Sequence, residues 1–145
     1  MMSFALSVIS DRLQALTRAL DADPALPGKL VIYDGPRPSS GDNPDPVSSV
    51  LATCVFPRPS LDSVTTFTLR LRQPLPTMVQ TTGLATWARL VDGTGRFVAD
   101  VDVGTDDTLP LPEVIIRKAD GSPADTANLY AGGEFAVVLA RLVDA

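Results

Sequence analysis

The chain contains no histidine and a single cysteine, Cys54, among its 145 residues. Without histidine there is no Ser-His or Cys-His nucleophilic pair, no imidazole general base and none of the common zinc sites. One cysteine forms no internal disulfide, and Cys54, set in VLATCVF, reads as a small buried residue. Aromatic residues are scarce at 6%, with one tryptophan, Trp87. No apolar run reaches membrane-spanning length, and the opening MMSFALSVISDRLQAL lacks the basic start of a signal peptide. Positive charge is also in short supply. A formal net charge of −5 argues against electrostatic binding to nucleic acid, which needs a basic face. Phosphate-binding loops, dinucleotide glycine patterns and nucleophile elbows are missing too, since Gly93-Thr94-Gly95 sits in a hairpin and Gly132-Gly133 in a turn.

What is present is apolar periodicity. Apolar residues make up 45% and charged residues 20%, the balance of a globular chain, and the length suits a single domain over 1–145. Leu6, Ile9, Leu13, Leu16 and Leu20 recur at spacings of 3, 4, 3 and 4, which predicts an amphipathic helix over about residues 4–21. Ser3 is the candidate cap, and Asp23-Pro24 followed by Pro27-Gly28 stops the helix. Strands are expected at Lys29–Tyr33, Val50–Phe56, Val64–Leu71, Val114–Lys118 and Glu134–Val143, with another starting near Met78. Between the first two lies a proline-rich stretch, residues 34–49, which cannot hold a ladder and reads as a long loop. Its Asp42, Asn43 and Asp45 lack the spacing of a calcium loop and read as solvated turn residues.

The most informative stretch is LATWARLVDGTGRFVADVDVG, Leu84 to Gly104, two alternating runs around the turn Asp92-Gly93-Thr94-Gly95. Pairing Val91 with Arg96 sets Leu90 opposite Phe97, Ala88 opposite Ala99 and Thr86 opposite Val101. One face then carries Ala88, Leu90, Phe97, Ala99, Val101 and Val103. The other carries Trp87, Arg89, Val91, Arg96, Val98, Asp100 and Asp102, and is expected to meet solvent or a partner. Asp100 and Asp102 share that face with Arg89 and Arg96, so the acidic cluster that continues into Asp106 and Asp107 reads as charge-balanced and not as a metal site. These elements predict a mainly β protein: an antiparallel β-sandwich of seven or eight strands, jelly-roll-like or a partly closed barrel, with one N-terminal helix.

The order of segments carries a resemblance. An amphipathic helix precedes LVIYDG (Leu30 to Gly35), the strand residues Leu51 to Thr53, ATWARLVDGTG (Ala85 to Gly95), DVDVGT (Asp100 to Thr105), and a glycine pair before the last strand. This resembles a family of small proteins encoded among the structural genes of tailed bacteriophages and prophages. The proline-rich loop and LPEVIIRKADGSPAD (Leu111 to Asp125) depart from the family pattern. The resemblance implies a non-enzymatic component of the virion, a capsid decoration (cement) protein or a tail component. Its partners would be the major capsid protein or tail proteins and copies of itself, with no nucleic acid, membrane, metal or cofactor. The alternative is a receptor- or carbohydrate-binding module of a tail fibre or tip, with Trp87 and Tyr33 or Tyr130 stacking on sugar rings. The expected contact residues are Trp87, Arg89 and Val98 on the hairpin and Pro36, Arg37, Pro38, Pro44 and Pro46 on the loop.

Overall fold

A computed structural model of the chain describes residues 5–38, 48–64, 68–139 and 142–143. It is mainly β with one helix, α1 (Leu6–Leu20). The strands are β1 (Lys29–Tyr33), β2 (Val50–Val55), β3 (Leu61–Val64), β4 (Thr68–Leu71), β5 (Thr77–Met78), β6 (Gly83–Leu84), β7 (Trp87–Val91), β8 (Phe97–Gly104), β9 (Val114–Lys118), β10 (Asn128–Leu129), β11 (Glu134–Leu139) and β12 (Leu142–Val143). A seven-stranded sheet runs in the order β2-β1-β7-β8-β9-β11-β5. Just beyond β5, the amides of Gln80 (2.7 Å) and Thr81 (3.3 Å) both donate to the Leu51 carbonyl of β2. The first and last strands thereby meet, and the sheet curls into a nearly closed barrel. A two-stranded ribbon (β10-β6) and a three-stranded sheet (β12-β4-β3) complete the domain.

One neighbouring pair departs from the expected antiparallel pairing: β8 and β9 are parallel, overlapping only at Val103–Val114 and Gly104–Ile115. The chain turns back after Gly104, with the Thr105 amide donating to Thr108 Oγ1 (2.9 Å) and the Thr108 amide to the Thr105 carbonyl (3.1 Å). It re-enters the sheet travelling in its original direction. Two predicted strands prove to be pairs of shorter ones. The run Val64–Leu71 belongs to a hairpin in which Leu61 faces Leu71 and Val64 faces Leu69; Thr65, Thr66 and Phe67 lie outside the described residues. Folding back this way lets Leu69 and Leu71 enter the core from one short strand. The predicted strand Glu134–Val143 is shared between two sheets, β11 pairing with β9 and β5, and β12 with β4.

The core is the inner face of the barrel. It includes Leu30 and Ile32 of β1, Ala52 and Cys54 of β2, Ala88 and Leu90 of β7, and Val101 and Val103 of β8. Val114 and Ile116 of β9 and Phe135 and Val137 of β11 continue it. Each buried side chain of the Val, Leu, Ile or Phe type contributes about 1.5–3 kcal/mol. Burial pushes the Cys54 thiol up to about 11. Helix α1 covers one side of this core with Leu13, Thr17 and Leu20, while Leu6, the first residue of the predicted stripe, is exposed. Its N-cap is Ala5, with no side-chain cap bond; Ser3 lies outside the described residues. The C-terminal end is held from outside the helix. The guanidinium of Arg58 donates to the carbonyls of Asp21 (3.1 Å), Asp23 and Leu26 (3.1 Å), while Asp21 Oδ2 accepts from the amide and hydroxyl of Ser60 (both 3.1 Å).

The β7–β8 hairpin forms with a different register from the expected one. Leu90 faces Ala99, Ala88 faces Val101 and Trp87 faces Asp102, a slip of two residues. Asp92 is the cause. Its Oδ1 accepts from the Thr94 hydroxyl (2.7 Å), the Thr94 amide (2.9 Å) and the Arg96 amide (2.9 Å), so the turn closes at Asp92–Arg96 and not at Val91–Arg96. Gly95 takes φ +91°. A side chain at Gly93 would collide with the Leu26 carbonyl, so only glycine fits where the turn abuts the chain after α1. A bulge then absorbs Val98 and sets Val91 opposite Phe97, so that Phe97 and Val98 exchange the faces expected of them. Phe97 goes to the outer face and Val98 packs against the core, the reverse of the expected arrangement.

Candidate interface on the outer sheet face

Register builds the outer face. Tyr33 of β1 lies opposite Trp87 of β7, which lies opposite Asp102 of β8; Val31, Arg89 and Asp100 form the next row. The Tyr33 and Trp87 rings stack at 4.4 Å with 10° between their planes. The indole Nε1–H donates to the Asp34 carbonyl at 3.1 Å. Arg89 spreads its guanidinium 5.6 Å from the Trp87 ring centre and 4.7 Å from that of Phe97. It forms a bidentate pair with Asp100, Nε–Oδ1 2.8 Å and Nη2–Oδ2 3.1 Å. Both side chains are almost dry, 7% and 9% exposed. Burial raises the Tyr33 pKa; Arg89 opposes the shift and Asp100 adds to it.

This arrangement corrects the reading of Trp87 as an exposed contact residue. It is fully buried, at 0% exposure, although it stands on the face opposite the main core. Tyr33 covers it, and the segment after β1 provides the acceptor for its N–H, so the indole belongs to a second buried layer. Arg89 is buried with it, and Val98 faces the other way. Of the loop residues, Pro36 and Arg37 are exposed and Pro38 is half-buried. Arg37 reaches the same face, 3.6 Å from the Asp102 carboxylate and 3.5 Å from the Asp100 carbonyl. The loop is pinched at its root, where the Ser49 amide donates to Asp34 Oδ1 (2.6 Å) and the Asp34 amide to the Ser49 carbonyl (3.3 Å). Pro44 and Pro46, together with Asp42, Asn43 and Asp45, lie outside the described residues. Solvent therefore meets Arg37, Asp102 and the half-open Phe97 ring on this face, over a rigid aromatic and ionic layer.

Two other surface elements were not singled out in the sequence. Leu75, between Pro74 and Pro76, is 82% exposed, and Leu109 and Leu111, on either side of Pro110, are 86% and 58% exposed. Pro74 and Pro112 are buried and anchor the two loops. The second loop is further fixed by the Arg117–Asp106 pair, Nη2–Oδ1 2.8 Å and Nε–Oδ2 3.3 Å. Hydrogen bonding from Arg117 lowers the Asp106 pKa. The sequence signal for both loops is a leucine set between prolines, a pattern that by itself indicates only the end of a strand. Among the described residues no group of three or more Cys, Asp and Glu side chains is arranged to hold a metal ion. No protein-family model, curated protein or solved structure matches the chain.

Proposed function

We propose that this protein is a non-enzymatic structural component of a tailed-phage virion. It assembles through repeated protein–protein contacts as a capsid decoration protein or a tail component, with the major capsid protein or tail proteins and copies of itself as partners. The segment order from LVIYDG to DVDVGT supports the virion assignment by resemblance. The observation that carries the assembly reading is the pair of proline-flanked loops holding Leu75, Leu109 and Leu111 in solvent. Large apolar side chains normally leave water, and a loop already stiffened by proline loses little entropy when it docks. Arg37 and Phe97 on the outer sheet face offer a second contact region of the arginine and aromatic type enriched at interfaces.

The test is incorporation into particles. A Leu109→Ser, Leu111→Ser double variant removes exposed groups only, so its melting temperature should stay near that of the wild type. Its copy number in purified particles, counted by mass spectrometry against the major capsid protein, should fall severalfold. Undiminished incorporation would remove this loop from the contact. Absence of the wild-type chain from particles would reject the virion assignment.

A further inference from the structure

One cleft takes no part in the surfaces described above. It opens between β9, β11 and the β6–β10 ribbon, with a volume of about 150 Å³. Its floor is apolar, formed by Ile116, Leu129 and Phe135, which belong to the core. Its rim is polar: Lys118, Thr126, Asn128 and Glu134, with Tyr130 at 66% exposure. The Asn128 amide side chain is oriented by donating to Thr126 Oγ1 at 3.3 Å. Lys118 and Glu134 carry opposite charges, and Arg117, which also borders the cleft, is already committed to Asp106.

We infer that this cleft binds one ring of a neutral saccharide. Ligand pockets place a few polar groups around an apolar body, and drug-sized molecules need about 300–1,000 Å³. A cleft of 150 Å³ is scaled to one ring and not to a helix or an extended peptide. The rim residues offer both kinds of group: the Lys118 ammonium donates, the Glu134 carboxylate accepts, and the Asn128 amide and Thr126 hydroxyl do both. Hydroxyl groups on a pyranose ring satisfy such a mixed set, whereas a cation or an anion would meet one attractive and one repulsive charge on the rim, so the pair favours neither. The C–H face of the same ring packs on an exposed phenol such as Tyr130 through dispersion. Arginine, the side chain that favours phosphate, is spent on Asp106, which argues against a nucleotide.

The experiment uses the isolated full chain in solution, so its result does not depend on the assembly reading. Saturation-transfer NMR is run against neutral monosaccharides, their oligomers and purified bacterial surface polysaccharide. Transfer to a pyranose from either the small sugars or the polymer is expected. Tyr130→Ala is expected to weaken that binding about tenfold, as loss of one aromatic contact does. Asn128→Ala is expected to weaken it as well. Both residues are exposed, and matching melting curves for the variants would exclude a folding effect. Lack of transfer to any of the saccharides well above millimolar concentration would overturn the proposal. So would binding that both substitutions leave intact.

Discussion

Replacing Trp87 with alanine tests the second buried layer directly. The indole is fully buried, stacked on Tyr33 at 4.4 Å and hydrogen-bonded through Nε1 to the Asp34 carbonyl. Loss of the stack removes about 0.5–1.5 kcal/mol beyond area burial. Loss of the N–H donor costs about 1 kcal/mol more, and the emptied volume supplies the rest of the roughly 3–5 kcal/mol typical of Trp→Ala in a core. That is a large share of the ~5–15 kcal/mol by which domains are stable. The melting temperature should fall by roughly 10 °C or more. Trp87→Phe keeps a stacking ring and should lose only about 1–2 kcal/mol. Because Trp87 is the only tryptophan, its fluorescence reads the same site in the unaltered protein: emission should be blue-shifted and poorly quenched by acrylamide. Emission typical of a water-exposed indole, or a Trp87→Ala protein melting within a degree or two of wild type, would refute the reasoning and return Trp87 to the surface.

Asp100→Ala strands the Arg89 guanidinium in a site where its side chain is 7% exposed, and should cost about 3–5 kcal/mol in denaturant unfolding. Adding Arg89→Met to that variant should recover much of the loss, and a double variant no more stable than Asp100→Ala would contradict the account. In alkali the Cys54 thiol stays protonated in the fold up to about 11, two units above its ordinary value of 9.0. A raised folded pKa gives stability that is complete below the unfolded value and lost as pH rises through the folded one. Between pH 9 and 11 this removes up to about 2–3 kcal/mol, which Cys54→Ala should not show. In acid the sign reverses for Asp92, held below its ordinary range by the Thr94 hydroxyl and then the Arg96 amide. Its contribution is present above the unfolded carboxylate value and lost as pH falls through the folded one, so Asp92→Asn should flatten the acid limb of a pH–melting curve.

The strands bounded by strong punctuation were legible in the sequence. β1 and β9 occupy the predicted spans, and the C-terminal half of the helical stripe buries Leu13 and Leu20 as its spacing requires. The failures share a physical form: in each, a local pattern was overruled by a group distant from it or by a side chain acting on the backbone. Alternation alone did not show that Asp92 would capture the Thr94 and Arg96 amides and shift the hairpin by two residues. Nor did it show that the backbone carbonyl of Asp34, 53 positions before Trp87, would accept the indole N–H hydrogen bond and close the outer face. The split of β11 from β12 was hidden for a related reason. Apolar residues in both alternating rows of a strand point to burial on both faces, without saying against which sheets.

The clamp on the end of α1 has a consequence in time. A 15-residue helix is marginal by itself in water. Its closing groups, Arg58 and Ser60, lie 37 and 39 positions beyond the Asp21 they hold. On the ribosome the helix is therefore synthesised well before its clamp exists, and α1 should become protected from amide exchange only once β2 and the turn after it have emerged. The helix is then secured only after β1 and β2, which follow it in the chain, and its apolar side waits in solvent until the sheet arrives to cover it.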